Sequence, residues 1–325
     1  MEISVVTAVY NGEAYLVEAI ESILHQSLPD FEYIIVNDGS ADLTKEILDR
    51  ISDSRVKVIH LGKNVGAATA LNMGINQAKG NWIAIQDADD LSHRQRLEKQ
   101  LAYVKADTRL AATGSLIRCI PGKDLVDQSL LEWEELFFNN KGSFRTEQFY
   151  STPLCHGTGF FSKQAYEKIG GYDPTFKIAY DYDLWTRMFE EGEIARVPEV
   201  LYSYRIHGNS LAHSNKVETT NEILLSTFKQ IATLRFFHLK RKPKLLLLGT
   251  NNHVDFYQEN LAAKNHYVSM EFLGPKEVRK AVSLFLSNEI DGVILVSTPQ
   301  LGEQLRFFRK RGLEFGKNLF KIWMP

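Results

Sequence analysis

The chain of 325 residues has only two cysteines, Cys119 and Cys155, and they lie far apart. That spacing excludes a paired metal-ligand motif; two reduced thiols are expected, as in a cytosolic protein, with a disulfide as the alternative. A basic excess is also missing. The net charge is -2, so nothing advertises attraction to a phosphate backbone and no nucleic-acid partner is expected. No apolar run reaches ~18 residues, so no transmembrane helix is expected. The first residues, MEISVVTAVYNG, lack the basic flank and long apolar run of a signal peptide and read as a buried strand. The expected location is the cytoplasm, with docking at the inner face of a membrane left open. There is no low-complexity segment. No G-x-G-x-x-G follows the first strand of either alternating region, which argues against a Rossmann dehydrogenase.

What is present is an ordinary globular composition, 44% hydrophobic and 24% charged. The first hundred residues alternate between two periods. Short apolar runs, Ile3 to Ala8, Tyr33 to Val36, Val56 to Ile59 and Trp82 to Ile85, read as strands. Between them, Leu16-Ala19-Ile20-Ile23-Leu24, Leu43-Ile47-Leu48-Ile51 and Ala70-Leu71-Ile75-Ala78 make helical stripes. This β-α-β-α-β-α-β order predicts a mostly parallel, Rossmann-like sheet with helices on both faces. Ligands of such sheets sit beyond the carboxyl ends of the strands, where Tyr10-Asn11, Asp38-Gly39-Ser40 and Asp87-Ala88-Asp89-Asp90 fall.

The middle third is less regular. Leu110 to Ile117 and Glu199 to Arg205 read as strands, and a helix from about Tyr182 carries Leu184, Trp185, Met188 and Phe189. Trp185 reads as core. Trp133 to Tyr150 is polar-aromatic and is expected to wrap the site. A composition shift then gives one helix, Val217 to Leu239, closing with Lys240-Arg241-Lys242, a solvated helix end that could also touch an anionic membrane. A second α/β alternation follows. Its strands are Lys244 to Gly249, Tyr267 to Phe272 and Gly292 to Ser297; its helices are Asp255 to Lys264, Pro275 to Leu286 and Gln300 to Arg311. The expected organisation is a domain over 1–215, a helical linker over 216–242 and a small Rossmann-like α/β domain over 243–325. The last is read as structural, oligomerising or acceptor-docking.

Asp87-Ala88-Asp89-Asp90 is the strongest chemical signal. Carboxylates crowded at a strand end destabilise one another's ionised forms. A hard divalent ion removes that penalty, taking one or two carboxylates and filling its other positions with phosphate oxygens. The same residues would also serve as a helix cap. Asp38, in VNDGS, suits either a turn or an acceptor for a ligand N–H.

These residues, taken in order, carry a resemblance. TAVYN, the helix ending SILHQS, VNDGSADLT and NVGAATALNMGINQAKGNWIAIQDADD, then HGTGFFSKQAYEKIGGYD, YDYDLWTRMFEEG and LYSYRIHGNS, resemble the family 2 inverting glycosyltransferases of the GT-A fold. The match spans about Ile3 to Ser210. The resemblance implies that Ala8, Tyr10 and Asp38 hold the nucleoside base. Asp87 would bind the ribose side of the nucleotide, and Asp89 the Mn2+ or Mg2+ that bridges the diphosphate. A UDP-sugar is the usual donor of such enzymes.

Inverting transfer needs one base to deprotonate the acceptor hydroxyl. The family places it in a Glu-Asp pair at a helix start, which here reads Tyr180-Asp181. The aspartate is kept and the glutamate is not, so Asp181 is the expected base and Asp183 its rival. His207 and Arg205 could reach the diphosphate or metal. His156 and Gly157 could lie on the acceptor side, where glycine lets a substrate approach the backbone. Arg94 replaces the proline often found after the acidic motif. The expected reaction moves a sugar from a nucleotide diphosphate to a hydroxyl of a polysaccharide, lipid-linked glycan or protein glycan. The alternative is a non-catalytic nucleotide-sugar sensor or scaffold, supported by Tyr180. A nucleotidyltransferase would carry a glycine-rich, lysine-bearing loop after the first strand, and Tyr10-Asn11-Gly12-Glu13 is not one.

Overall fold

The computed structural model describes residues 1–123, 127–140, 142, 144–208, 210, 215–296 and 301–324. Two compact units emerge, one from Met1–Arg145 with Pro153–Ser214, the other from Thr146–Thr152 with Asn215–Pro325. Ser297 and Gln300, expected as element ends, and Asn209 of the YRIHGNS motif lie outside the described residues.

The first unit opens with β1 (Ile3–Val9), α1 (Leu16–Leu24), β2 (Phe31–Asn37), α2 (Thr44–Asp49), β3 (Val56–His60), α3 (Ala67–Asn76) and β4 (Trp82–Ile85). It continues through β5 (Leu91–Ser92), α4 (Arg96–Ala106), β6 (Leu110–Pro121), α5 (Gln128–Asn139), β7 (Phe160–Ser162), α6 (Lys163–Lys168), α7 (Tyr180–Met188) and β8 (Glu193–Ile206). The sheet order is β3-β2-β1-β4-β7-β6-β8-β5. The strands from β1 to β4 pair in parallel as the alternation predicts, whereas β7 runs antiparallel to both β4 and β6, and β5 runs antiparallel to β8.

The period of two along each strand sorts the core. Val6, Ile34, Val36, Ile83 and Ile85 face α3 and α7, with Trp185 fully buried among them. Val5, Tyr33, Ile35 and Ala84 face the opposite way, onto α1, α2 and α4. Leu16, Ala19, Ile20 and Ile23 of α1 are the apolar stripe that this second face buries.

Two expectations change. Residues 128–139 form a helix rather than an irregular wrap, because the Asp127 carboxylate accepts from the Ser129 N–H (2.9 Å) and starts it. β8 is also longer than the segment expected from Glu199 to Arg205, since it pairs with β6 along almost its whole length.

The second unit holds α8 (Lys216–Arg235), β9 (Lys244–Leu248), α9 (Asn251–Asn260), β10 (Ser269–Leu273), α10 (Val278–Leu286), β11 (Gly292–Val296), α11 (Leu301–Arg309) and β12 (Leu319–Ile322). All four strands are parallel, in the order β10-β9-β11-β12. Leu245, Leu247, Ile294 and Val296 bury one face, and Leu246, Leu248, Val293 and Leu295 the other. β12 had no expected counterpart. Among the described residues, no helix is long and apolar enough to cross a membrane.

Candidate donor and transfer site

The carboxyl ends of β1 and β2 are sewn together. Asn11, in a left-handed conformation (φ 52°), donates its N–H to Ser40 Oγ (2.9 Å) and accepts from the Ala41 N–H (2.9 Å). Gly12 N–H donates to Thr44 Oγ1 (2.8 Å). Tyr10 projects from this junction with about half its surface exposed, and Ala8 is half-buried below it.

Asp38 is buried, and both its oxygens are engaged: Oδ1 accepts from Val65 N–H (2.7 Å) and Oδ2 from Gly66 N–H (2.9 Å). It therefore ties β2 to the turn that starts α3. Each carboxylate oxygen keeps a second lone pair, which is what a base could use. Gly39, at φ 68°, backs this turn so closely that a Cβ would fall 2.4 Å from the Lys63 carbonyl carbon.

The acidic loop between β4 and β5 is held on three sides. Arg96, on α4, is fully buried and donates to the Ile85 carbonyl (2.7 Å), Ser92 Oγ (2.8 Å) and Gln100 Oε1 (3.0 Å). Its guanidinium lies 5.0 Å from the centre of the Tyr202 ring. The Asp87 N–H donates to the Tyr202 hydroxyl (3.2 Å). From β8, Arg205 donates its backbone N–H to Asp90 Oδ1 (2.6 Å) and its Nε to the Asp89 carbonyl (2.7 Å), while Nη2 pairs with Glu18 (2.8 Å). Arg205 thus braces the loop. Burial, then the charges of Asp89 and Asp87, push the Asp90 carboxyl well above the usual carboxylate range.

Two histidines meet the two outer aspartates. His207 Nε2 faces Asp89 Oδ2 at 2.8 Å, with the imidazole largely buried and the carboxylate about a third exposed. His156 Nδ1 faces Asp87 Oδ1 at 3.1 Å, and its Nε2 faces the Tyr172 hydroxyl at 3.0 Å. Burial alone would lower the His156 pKa, but the Asp87 charge and hydrogen bond, with the Asp181 charge, outweigh it and the net shift is upward. Gly157 is small for the protein's own packing: a Cβ there would lie 2.0 Å from the Tyr202 hydroxyl and 2.7 Å from Asp87 Oδ2.

Asp181 stands in the first turn of α7, accepting from the Tyr182 N–H (2.7 Å). Burial raises its pKa; His156 and the Tyr182 N–H pull it back, and Asp87 adds to the rise. A carboxyl whose pKa is raised in this way binds a proton more tightly than a free one, which suits a group that takes up a proton in the reaction. Asp183 is fully buried and ion-paired to Arg187 (2.5 Å), so its charge is already used within α7. Tyr180 sets its ring edge-on to His156 (5.4 Å) and Tyr172 (5.7 Å). Cys119 and Cys155 are free and buried, and burial raises the Cys119 thiol to about 12. Arg94 is exposed, and its carbonyl accepts from Ser27 N–H (2.7 Å).

The structure thus gathers Asp87, Asp89, His156, Gly157, Arg205, His207 and Asp181 from distant segments. Tyr202, Arg96, Gln100 and Tyr172 were not singled out from the sequence. The only available signal was Arg96 and Gln100 at i, i+4 on a helix after the acidic loop, a spacing that an exposed face also satisfies. No group of three or more His, Cys, Asp or Glu side chains is arranged to hold a metal among the described residues. Asp89 with His207 supplies two ligands at most. That suits an ion completing its shell with phosphate oxygens and water, and the imidazole suits Mn2+ better than Mg2+.

Comparison with known proteins agrees with this architecture. An uncharacterized glycosyltransferase of Haemophilus influenzae is 28% identical over 269 residues, covering 75% of this chain and 83% of the other. The S. aureus TarS 1-349 structure in complex with UDP-GlcNAc aligns with a TM-score of 0.58 at 20% identity, covering 72% of this chain and 66% of that one. The mannosyltransferase PcManGT from Pyrobaculum calidifontis, in complex with GDP-Man and Mn2+, aligns with a TM-score of 0.56 at 17% identity, covering 96% and 81%. Both likenesses bear on the fold, which is of the GT-A type. Residues 4–170, half of the chain, match the family described as Glycosyl transferase family 2, and the chain belongs to that family.

Proposed function

We propose that the chain is an inverting glycosyltransferase that moves a sugar from a nucleotide diphosphate to an acceptor hydroxyl, with a UDP-sugar the favoured donor. The observation that carries this is the convergence of Asp89 with His207 and of Asp87 with His156, on one loop at the carboxyl end of β4. Tyr10, Ala8 and Asp38 line the base side, and Asp87 the ribose side. Asp181 takes the acceptor proton as the acceptor oxygen bonds to the anomeric carbon. The bond to phosphate breaks, and its electron pair stays with the diphosphate. A divalent cation held by Asp89 and His207 would neutralise charge on that leaving group. His156, with both ring nitrogens engaged, orients Asp87. The acceptor is proposed to be a carbohydrate or glycan-bearing molecule. The second unit is proposed to dock that acceptor or a second copy of the chain.

A thermal-shift panel of nucleoside diphosphates and nucleotide sugars, with and without Mn2+, tests the donor site, because ligands of the folded state raise apparent stability. Metal-dependent stabilisation by one nucleotide sugar is expected, followed by release of the nucleoside diphosphate with acceptor glycans. No stabilisation by any of them would sink the reading. Tyr180, standing where the family carries glutamate, favours a second reading, a sensor. Tight donor binding with neither transfer nor slow hydrolysis would support that one instead.

A further inference from the structure

The diphosphate released in the proposed reaction carries more negative charge than a divalent cation would offset, because the Asp89 carboxylate that would hold the ion already cancels part of its charge. Most basic groups around the pair are committed. Arg205 is held by Glu18 and the Asp89 carbonyl, Arg96 is buried behind the loop, and His156 is held between Asp87 and Tyr172.

Lys123 is different. It follows β6, whose last residue, Pro121, pairs with Ile206 at the end of β8. Gly122 N–H donates to the Ile206 carbonyl (2.8 Å). Gly122 also packs so tightly that a Cβ there would lie 2.5 Å from the His207 Cβ. Lys123 N–H donates to the Tyr15 hydroxyl (2.7 Å). The backbone of Lys123 is therefore fixed beside His207. Its ammonium stands 5.4 Å from the centre of the Tyr15 ring, and that ring centre is 5.1 Å from the His207 ring centre. Lys123 is exposed and has no carboxylate within ion-pair distance among the described residues. An aromatic face holds an exposed ammonium more weakly than an oxyanion does, so this cation can be given up to a phosphate.

We infer that Lys123 is a ligand of the donor's terminal phosphate, an ammonium resting on Tyr15 beside His207 that moves onto the leaving diphosphate. The inference rests on the donor-site reading above. It assigns Lys123 to charge that grows as the bond between sugar and phosphate breaks, so its loss acts on turnover as well as on binding.

The test uses the full chain with Mn2+, titrated calorimetrically with UDP, UMP, GDP and GMP, together with steady-state transfer kinetics. In Lys123→Ala, affinity for the preferred nucleoside diphosphate is expected to fall about tenfold while its monophosphate changes less than about twofold, and kcat to fall about tenfold or more. Lys123→Arg is expected to restore most of both. If the wild-type chain prefers the diphosphate and Lys123→Ala keeps that preference and kcat, the Lys123 assignment is wrong and the donor site stands. If the wild-type chain shows no preference for a diphosphate, the donor-site reading falls and takes Lys123 with it.

Discussion

Asp89 and His207 face each other at 2.8 Å, although 118 positions separate them in the chain. Asp89 is set by the braced loop after β4, and His207 by the end of β8. If this pair holds the metal, Asp89→Ala is expected to abolish metal-dependent donor binding, and His207→Ala to weaken Mn2+ affinity by at least about tenfold. Calorimetric titration with Mn2+ and the donor nucleotide checks both. Donor binding by Asp89→Ala at wild-type strength, or binding unchanged by a chelator, would contradict the assignment.

Asp181 is expected to set the acid limb of the pH profile. Its pKa is raised chiefly by burial, and the base must be ionised, so activity should climb with pH through a value above the ordinary carboxylate figure of ~3.9. In stability the sign is the reverse. The folded chain holds this proton more tightly than the unfolded one, so ionising Asp181 costs stability as pH rises from the unfolded to the folded value. Asp181→Asn is expected to keep donor affinity and lose transfer by about a hundredfold or more. Full activity in that variant would remove Asp181 from the role.

Burial would lower the His156 pKa, but the charge and hydrogen bond of Asp87, together with the charge of Asp181, carry the net shift upward. Its pairing contributes stability that is fully present below the unfolded pKa of ~6.5 and is lost as pH rises through the higher folded value. In Asp87→Asn burial acts with less opposition, and the His156 titration is expected to move to lower pH. Imidazole resonances followed by NMR would show it. An unmoved titration would mean that Asp87 does not control the ring.

Arg96→Met is expected to destabilise the first unit by about 3 to 5 kcal/mol, because it leaves the buried Ile85 carbonyl, Ser92 Oγ and Gln100 Oε1 without the charged donor they share. Urea unfolding measures this. A loss below about 1 kcal/mol would mean that the loop is held by Arg205 and Tyr202 without it.

Much of the frame was legible because it depends on local periodicity. Val5 and Val6 alternate, Leu16 to Ile23 recur at helical spacing, and the polar clusters end strands, so the β-α order and the site's end of the sheet follow from residues close in sequence. The antiparallel insertion of β7 did not follow, since three residues carry too little pattern to show which neighbours they pair with. The helix over residues 128–139 was masked by its aromatic and acidic surface, with Trp133 and Leu136 exposed.

At the site, the chain order of Asp38, Asp87, Asp89, Asp181 and His207 determined which residue types were on offer. Tertiary structure decided what each one meets. Asp38 turned to the Val65 and Gly66 amides, Asp183 to Arg187, and Gly157 to Tyr202. Burial, partner and charge arise only when distant segments close around a side chain. Lys123 shows this most simply: in the sequence it is one more lysine, and only the meeting of β6 with β8 places it beside Tyr15 and His207.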